Sequence, residues 1–301
     1  MNTKHFRWLS AAALMPAILL AGCSRRDEAS VGTPANPLVV VLSPAHAPSA
    51  SSGALDFIKK HLETSTGLSV ELRVAQSPAE AVNAFSSDKT DAGIVSLEEY
   101  LVAREEYSVS PELQALRGKE LSEYEGVILA RSSLKPAELA GKKVGFVGPY
   151  SVSGFTLPSL YLKKAGIAVA PEFTTGHDAN LRELLDKNID AAATYARQAS
   201  RYPGLKIVAV TGKVPNEPLI VRRKLAAEKR QALAEAFLSL GDTPEGSKAL
   251  GAVADITGFQ SVDEAVYKPL HQLIFSEGGS IYDLIPEGWN IYKLNQPYYP
   301  D

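Results

Sequence analysis

The sequence is poor in the residues on which metal and redox sites depend, with one cysteine, five histidines and two methionines among 301 residues. One cysteine forms no disulfide within the chain, which excludes a disulfide-stapled scaffold and a cysteine-based zinc site. The histidines lack the His-Glu-x-x-His spacing of zinc hydrolases, and no Gly-Lys-Ser/Thr of a nucleotide-binding loop is present. No metal and no cofactor are therefore expected.

An excess of positive charge is missing as well. The chain carries 31 Lys and Arg against 34 Asp and Glu, a formal net charge of −3, which disfavours nucleic-acid binding. The 45% share of hydrophobic residues is typical of a globular protein. The length suits two compact lobes of about 100–150 residues each.

Long apolar runs are absent except near the start of the chain. The run from residue 8 to residue 21 follows Lys4 and Arg7 and is shorter than the roughly 20 residues that a membrane-spanning helix needs. This arrangement is typical of a secretory signal, so residues 1–22 are predicted to be a signal peptide that is removed.

The signal ends in Leu20-Ala21-Gly22-Cys23, which resembles the lipobox of bacterial lipoproteins. The resemblance implies that Cys23 receives a diacylglycerol thioether, becomes the first residue and ties the protein to a bacterial membrane. The polar residues 23–36 are expected to act as a flexible tether. An ordinary signal peptide with a chance cysteine is the alternative, and the choice between inner and outer membrane stays open.

Strands and helices alternate in two successive units. Leu38–Leu42 is a run of five apolar residues, typical of a buried parallel strand, and it opens a β-α-β-α-β series that ends near Val95. A second α/β unit extends from Gly126 to Thr194. Helices are predicted later in the chain at 225–240, 243–251 and 261–275. This order predicts an α/β fold of two lobes with a helical C-terminal part.

The chain is expected to cross from the first lobe to the second near residues 126–132 and to return near 210–222. Lobe 1 then comprises residues 37–128 and 222–301, and lobe 2 comprises residues 129–221. Small-molecule sites commonly lie in the cleft between two lobes, and closure around a ligand is a hinge motion.

A hydroxyl-rich turn at residues 148–154 is the strongest candidate for binding chemistry. A strand ending at Val147 runs into the turn, and an apolar helix over residues 155–164 follows it. Unpaired N–H groups at a helix start, together with the hydroxyls of Ser151 and Ser153, suit an oxyanion. The alternative is that either serine only caps the helix.

A set of short motifs resembles one family in order and spacing. The motifs are Pro149-Tyr150-Ser151-Val152-Ser153-Gly154, Pro158, His177, Asp190-Ala191-Ala192, Val214-Pro215-Asn216-Glu217-Pro218 and Thr243-Pro244-Glu245-Gly246. Over roughly residues 37–275 the chain is similar to the phosphonate-, phosphite- and phosphate-binding proteins of ABC importers. The resemblance implies a two-lobed periplasmic-binding-protein-like fold with two crossovers between the lobes. It also implies a periplasmic protein that captures a small phosphorus oxyanion for an ABC permease.

The resemblance further assigns residues to the ligand. The oxygens of the anion would be held by the turn residues Ser151, Val152 (through its backbone), Ser153 and Gly154. His177, at the next helix start, would join them, and an anion there would raise the pKa of its imidazole. An acid in the returning crossover resembles Glu217. The alternatives are a surface or capping role for His177 and a solvated carboxylate at Glu217.

Two positions depart from the family. Members that take aminoalkyl phosphonates often supply an aromatic hydroxyl where this chain has Val95, and an acidic contact to the ligand amine where it has Arg197. An amine pocket is therefore expected to be absent. Arg197 would either pair with Glu217 or contact the anion itself, and both options stay open.

Catalysis is not expected, because Pro149 and Ser153 occupy the glycine positions that a Gly-x-Ser-x-Gly nucleophile elbow requires around Ser151. The alternative to import is a ligand-sensing or partner-binding lipoprotein that signals to a membrane receptor. Aromatic residues near the C-terminus would form a partner patch or pack against the first lobe: Trp289, Tyr292, Tyr298 and Tyr299.

Overall fold

The computed structural model describes residues 26–44, 51–118, 121–148, 150–254 and 256–278. Cys23 and the aromatic residues beyond position 288 lie outside this part of the chain. Across the described ranges, no helix is long and apolar enough to cross a membrane.

Two sheets are built from strands of both halves of the chain. The strands are β1 (Leu38–Leu42), β2 (Val70–Val74), β3 (Ala92–Ile94), β4 (Ser110–Leu116), β5 (Glu123–Ala130), β6 (Lys143–Val147), β7 (Ala170–Thr174), β8 (Ala191–Tyr195), β9 (Lys206–Pro215), β10 (Pro218–Val221) and β11 (Gly258–Ser261). The first sheet has the order β11-β4-β10-β3-β1-β2, and the second has the order β7-β6-β8-β5-β9.

Helices connect and cover the strands. They are α1 (Ser52–Thr66), α2 (Pro78–Asn83), α3 (Leu97–Tyr107), α4 (Leu157–Lys164), α5 (His177–Leu185), α6 (Ala196–Arg201), α7 (Ala227–Leu240), α8 (Pro244–Ala254) and α9 (Lys268–Gly278). A π-helical turn, Val152–Thr156, leads directly into α4. Short 3₁₀ turns occupy Ala84–Ser86, Pro136–Leu139 and Glu264–Val266.

Each sheet has three adjacent parallel strands at one side, β3-β1-β2 in the first sheet and β7-β6-β8 in the second. β1 pairs in parallel with β2 and β3, and β6 pairs in parallel with β7 and β8. In open sheets of this kind, ligands bind beyond the carboxyl ends of the parallel strands. These ends carry the connections to α3 from β3, to the π-helical turn from β6 and to α5 from β7.

The chain passes between the sheets twice. The first crossover lies between β4 and β5, at residues 117–122, and the second lies between β9 and β10, at residues 216–217. β5 therefore belongs wholly to the second sheet and β10 to the first, whereas the expected lobe boundaries at 128 and 221 split β5 and put β10 in lobe 2. The first residues of β5 are polar, so the start of this strand could not be recognised from the sequence. The apolar sequence of β10 does not indicate which sheet the strand joins.

Residues 26–36 are not a free tether. Arg26 donates hydrogen bonds to both carboxylate oxygens of Asp91 at 2.9 and 3.0 Å and to the Pro37 carbonyl at 2.5 Å. Arg222 donates to Asp91 from the other side at 2.8 Å, and Val31 is buried in the core of the first sheet. The expectation of a flexible segment is wrong for these residues, because the buried carboxylate of Asp91 pairs with the guanidinium groups of both Arg26 and Arg222 and so holds the segment in place.

The C-terminal part is less helical than expected. Residues 258–261 form β11, which pairs with β4 at the edge of the first sheet, and the last described helix begins only at Lys268. Asp263, not Ser261, provides the capping side chain of the intervening turn. Pairing with a distant strand therefore overrides the local capping-box pattern at Ser261.

A shared apolar cluster joins the two sheets. It includes Tyr100 and Leu101 of α3, Tyr150 and Val152 before α4, and Val214 of β9. Val95, the position without an aromatic hydroxyl, is buried in the same cluster. The π-helical turn is thereby pressed against the first turns of α3, which brings polar groups of both sheets together.

Candidate functional site

The turn after β6 forms the first part of the site. Ser151 is the N-cap of the π-helical turn, with its Oγ accepting the Gly154 N–H at 3.1 Å and its carbonyl accepting N–H groups of Phe155 and Thr156 at 2.8 and 3.1 Å. The capping role foreseen as an alternative for Ser151 is thus present. Because a hydroxyl both accepts and donates, this role leaves the O–H of Ser151 as a donor.

Gly154 and Ser153 are set deep in the site. A Cβ on Gly154 would lie 2.6 Å from the Val147 Cβ and 2.8 Å from the Ser151 Oγ, so only glycine fits this close approach. Ser153 is 1% exposed and lies over Gly126 of β5, where an added Cβ would be 3.5 Å from its Cα and Cβ. A serine hydroxyl in this position is a polar group held between two layers.

His177 is the first residue of α5, and its side chain lies against the end of β8 in the second sheet. Its Nδ1 lies 2.9 Å from Thr194 Oγ1, and its ring packs edge-to-face on Tyr195 with 4.9 Å between centroids. Burial lowers the pKa of His177 to about 4, against a smaller opposing effect of Asp178. The imidazole is therefore neutral at pH 7, and the N-cap position of α5 belongs to Gly176.

Glu217 lies in the second crossover and is 5% exposed. Arg117, in the first crossover, binds it with both Nη atoms, one of them 2.7 Å from Oε2. The solvated-carboxylate alternative is therefore wrong for Glu217, because the guanidinium of the adjacent crossover compensates its charge. Arg197 lies exposed in the first turn of α6 and is not the guanidinium of this bidentate pair.

Two acidic residues that sequence reasoning did not select complete the site from the first sheet. Glu99 and Ser96 form a capping box at the start of α3, with Glu99 Oε2 accepting the Ser96 N–H at 2.7 Å. Ser43, which follows β1, donates to Glu99 Oε1 at 2.8 Å. Burial raises the pKa of Glu99 to about 7. The Ser-x-x-Glu spacing was a readable signal for this cap.

Glu98 is the other acid, and it reaches the second sheet. Thr156 Oγ1, in the π-helical turn, donates to Glu98 Oε1 at 2.9 Å, and Glu98 is 1% exposed. Burial raises the pKa of Glu98 to about 8. No local pattern in the sequence marks this contact, because it joins residues 58 positions apart.

Tyr124 of β5 lies between these groups. Burial raises the pKa of its phenol, the charges of Arg117, Glu217 and Glu98 act on it, and a hydrogen bond with Ser153 lowers it. Tyr124 therefore lies near Ser153, near Glu98 and near the ion pair of Arg117 with Glu217. The site combines neutral hydroxyl donors from the second sheet with buried carboxyl groups from the first.

Two sheets joined by two crossovers, with polar side chains gathered where their parallel strands end, define a two-lobed solute-binding protein of the periplasmic type. The chain matches the family model described as "ABC transporter, phosphonate, periplasmic substrate-binding protein" over residues 40–267. It belongs to this family, as the order of its motifs had indicated.

Relatives of known name agree with this assignment. The chain is 29% identical to the phosphate-import protein PhnD of Mycolicibacterium smegmatis over 65% of its own length and 67% of that protein. It is 24% identical to the phosphonates-binding periplasmic protein of Escherichia coli over 43% of its length and 42% of that protein.

Solved structures share the fold. XAC2383 from Xanthomonas citri superposes with a TM-score of 0.66 at 20% identity, covering 88% of this chain and 99% of that one. PhnD1 from Prochlorococcus marinus, in complex with methylphosphonate, gives a TM-score of 0.63 at 16% identity, covering 78% and 96%.

Proposed function

We propose that this protein captures a small phosphorus oxyanion (phosphonate, phosphite or phosphate) between its two sheets and delivers it to the permease of an ABC importer. The observation that carries the proposal is the turn after β6, where the hydroxyls of Ser151 and Ser153 lie at a helix start. Helix starts offer unpaired N–H groups to anions, and these two hydroxyls add neutral donors.

Ligand residues follow from this position. The anion's oxygens would meet the hydroxyls of Ser151 and Ser153 and the backbone N–H of Val152, in a turn buried apart from the partly exposed Ser151. Gly154, whose N–H donates to Ser151 Oγ, would contribute through the close approach that its missing side chain allows. His177 is neutral without ligand, and an anion nearby would raise its pKa and favour imidazolium. The bidentate pair of Arg117 and Glu217 joins the two crossovers, where a hinge would bend.

The proposed role is capture, without a chemical step. A serine nucleophile needs a base within hydrogen-bond reach. Ser151 Oγ accepts the Gly154 N–H, and His177 Nδ1 lies 2.9 Å from Thr194 Oγ1, so these contacts of the two site residues do not pair the serine with the histidine. This arrangement favours a binding protein over a hydrolase.

A calorimetric screen tests the ligand class. Purified protein is titrated with phosphate, phosphite, methylphosphonate, 2-aminoethylphosphonate, sulfate and selenate. We expect binding of at least one phosphorus oxyanion, and failure of all four phosphorus ligands to bind would overturn the proposal. Uptake of the bound oxyanion by cells with and without the gene then separates delivery to a permease from signalling to a receptor.

We further propose that Cys23 carries a lipid that holds the protein in the periplasm at a bacterial membrane, either the inner or the outer one. The support is its place directly behind the apolar run and three residues before Arg26, which is bonded to the first sheet. Cys23→Ser should abolish labelling by a fatty-acid probe, because a hydroxyl does not replace the thiol. Equal labelling of both forms would exclude the anchor.

A further inference from the structure

Glu98 is a buried acid placed against the anion-binding turn. Its Oε1 accepts the Thr156 hydroxyl at 2.9 Å, and Thr156 belongs to the same π-helical turn as Ser153. Tyr124, which is hydrogen-bonded to Ser153, also feels the charge of Glu98. Glu98 therefore lies beside the turn that carries the proposed anion donors.

Capping of α3 does not account for Glu98. The capping box is formed by Ser96 and Glu99, and Ser43 adds a further hydrogen bond to Glu99. A buried carboxyl without an opposite charge is costly and favours its protonated form. This carboxyl is not part of the capping box, forms no ion pair within the described part of the chain and is only 1% exposed, so its place beside the anion-binding turn calls for a role in binding.

The groups around Glu98 leave its charge uncompensated. Glu99 beside it on α3 is a second acid, and burial is the largest effect on the pKa of both. The guanidinium of Arg117 is bound bidentately by Glu217.

The other titratable groups on the neighbouring elements do not supply a cation. Tyr124 on β5 is a phenol whose pKa is raised by burial. Glu80, on the packed helix α2, accepts the Gln76 N–H with its Oε2. His177, across the site on α5, is neutral when the site is empty.

An anion bound at the turn would thus meet a carboxyl group. If both were fully ionised, two like charges would lie side by side in a buried site, which is strongly unfavourable. One proton between them converts the repulsion into a hydrogen bond to a charged group. Phosphite, phosphate and alkylphosphonates gain or lose a proton near neutral pH, whereas sulfate and selenate hold none.

We propose that Glu98 and the bound oxyanion share one proton, so that the site selects phosphorus oxyanions over sulfate. This inference rests on the proposed function and names the feature of the ligand that the site reads, namely its ability to hold a proton. Glu98 is in this view a specificity-determining residue contributed by the first sheet.

The test is the pH dependence of affinity. Dissociation constants for methylphosphonate and phosphite are measured by calorimetry from pH 6 to pH 10, with sulfate as the competing anion. For the unaltered protein we expect affinity to fall about tenfold per pH unit once the shared proton is lost, above about pH 8. Sulfate is expected to bind at least roughly 100-fold more weakly at pH 7.

Glu98→Gln supplies an amide that donates at every pH. We expect this variant to lose the fall in affinity above pH 8 and to gain roughly tenfold or more in relative affinity for sulfate. Glu106→Gln is the matched control, because Glu106 is another acid of α3 whose pKa is raised by burial, to about 7, but it lies at the opposite end of the helix from the site, so this variant should keep the pH dependence. An unchanged pH slope in Glu98→Gln, or a flat profile in the unaltered protein, would overturn the proposal.

Proton counting covers the case in which Glu98→Gln does not fold. Titrations of the unaltered protein at pH 9 in two buffers of different ionisation enthalpy give the protons taken up with each ligand. We expect close to one proton, and a value of zero rejects the shared proton. Absence of binding by any phosphorus oxyanion at every pH would instead reject the proposed function itself.

Discussion

The site is formed by two strand-to-helix connections, one from each sheet, which are called here the first edge and the second edge. The two edges have the same capping geometry but different chemistry. In each, a serine that follows a parallel strand is the N-cap of a helical turn: Ser96 before α3 in the first sheet, and Ser151 before the π-helical turn in the second. Both serines accept an N–H three residues ahead. The first edge then presents buried acids, while the second presents hydroxyls and a neutral imidazole.

This difference divides the work of recognition. Neutral donors hold any tetrahedral oxyanion of the right size, because hydrogen bonds to a charged acceptor are strong whatever the central atom. Buried carboxyls discriminate by protonation, because an ionised pair without a proton is repelled. The second edge would therefore carry affinity and the first edge selectivity, and the following changes test that division.

The largest effect is expected from the second edge. Removing the hydroxyls of both Ser151 and Ser153 (Ser→Ala at each) takes away two neutral donors to a charged acceptor. Each costs about 1.5–3 kcal/mol, or roughly 10- to 150-fold in Kd, so the pair should nearly abolish binding. Calorimetry against the best oxyanion measures the loss.

Ser200→Ala, on the exposed face of α6, is the matched control for these serine changes and should bind normally. Loss of the cap at Ser151 is expected to cost about 0.5–2 kcal/mol of stability, so thermal unfolding must accompany the titrations. Binding as tight as that of the unaltered protein would show that the anion does not use this turn.

The next effect concerns the link between the edges. Arg117→Met removes the guanidinium that binds the buried Glu217 carboxylate, which should lower the free energy of unfolding by about 2–4 kcal/mol. Urea denaturation at pH 7 measures it. Lys213→Met, which breaks an exposed pair with Glu123 on the same sheet, is the control and should leave stability unchanged. Similar losses in both variants would mean that burial of Glu217 is unimportant.

Sequence reasoning reached the second edge and missed the first. Small and hydroxyl residues between a strand and a helix, as at Ser151 and Ser153, are a local signal with a physical meaning. The acids of α3 belong to a helix with two acidic pairs, at 98–99 and 105–106, which is typical of a solvated surface. The burial of Glu98 comes from the turn of the other sheet, 58 residues away, and no local pattern carries that information.

Most of the fold was predictable because its signals are also local in the sequence. The errors in the fold prediction also come from contacts between distant residues. The alternating strands and helices of the two α/β units could be predicted, because an apolar run by itself indicates a buried element. The second crossover lies within the range expected for it, but the first crossover was placed too late in the chain, β10 was assigned to the wrong lobe and β11 was missed. The sheet that a short strand joins depends on distant partners, such as the pairing of Phe259 with Ala115. The ordered position of residues 26–36 could not be predicted either, because it depends on the ion pair of Arg26 with Asp91, 65 residues away.

A smaller effect distinguishes the acids of the first edge by stability. The pKa of Glu98 is raised to about 8, above its value of 4.5 in the unfolded chain. The folded state therefore holds this proton more tightly, and stability falls as the pH rises from about 4.5 to 8. Glu98→Gln should be more stable than the unaltered protein at pH 8, by about 1–3 kcal/mol, with the gain vanishing by pH 4.5.

Chemical denaturation at pH 4.5, 6 and 8 measures this gain. Glu63→Gln provides a control of opposite sign, because its hydrogen bond with Lys59 lowers the pKa of Glu63 and its contribution is lost as the pH falls. That variant should be slightly less stable at pH 8 and equal to the unaltered protein in acid. A pH-independent gain for Glu98→Gln would argue that its carboxyl is not desolvated.

The smallest effect concerns the ligand's tail. Arg197, in the first turn of α6, takes the position at which the family resemblance expects an amine-seeking acid, so 2-aminoethylphosphonate should bind more weakly than methylphosphonate. Arg197 is exposed, so solvent and salt screen its charge, and Arg197→Glu should change the ratio of the two affinities by only about 0.5 kcal/mol, roughly twofold. Arg201→Glu, the same charge change at the end of the same helix, should change it less. Paired calorimetric titrations at low and high salt measure both ratios. If 2-aminoethylphosphonate is the best ligand of all, an amine-binding acid exists elsewhere in the site, and the buried carboxyls of the first edge become its first candidates.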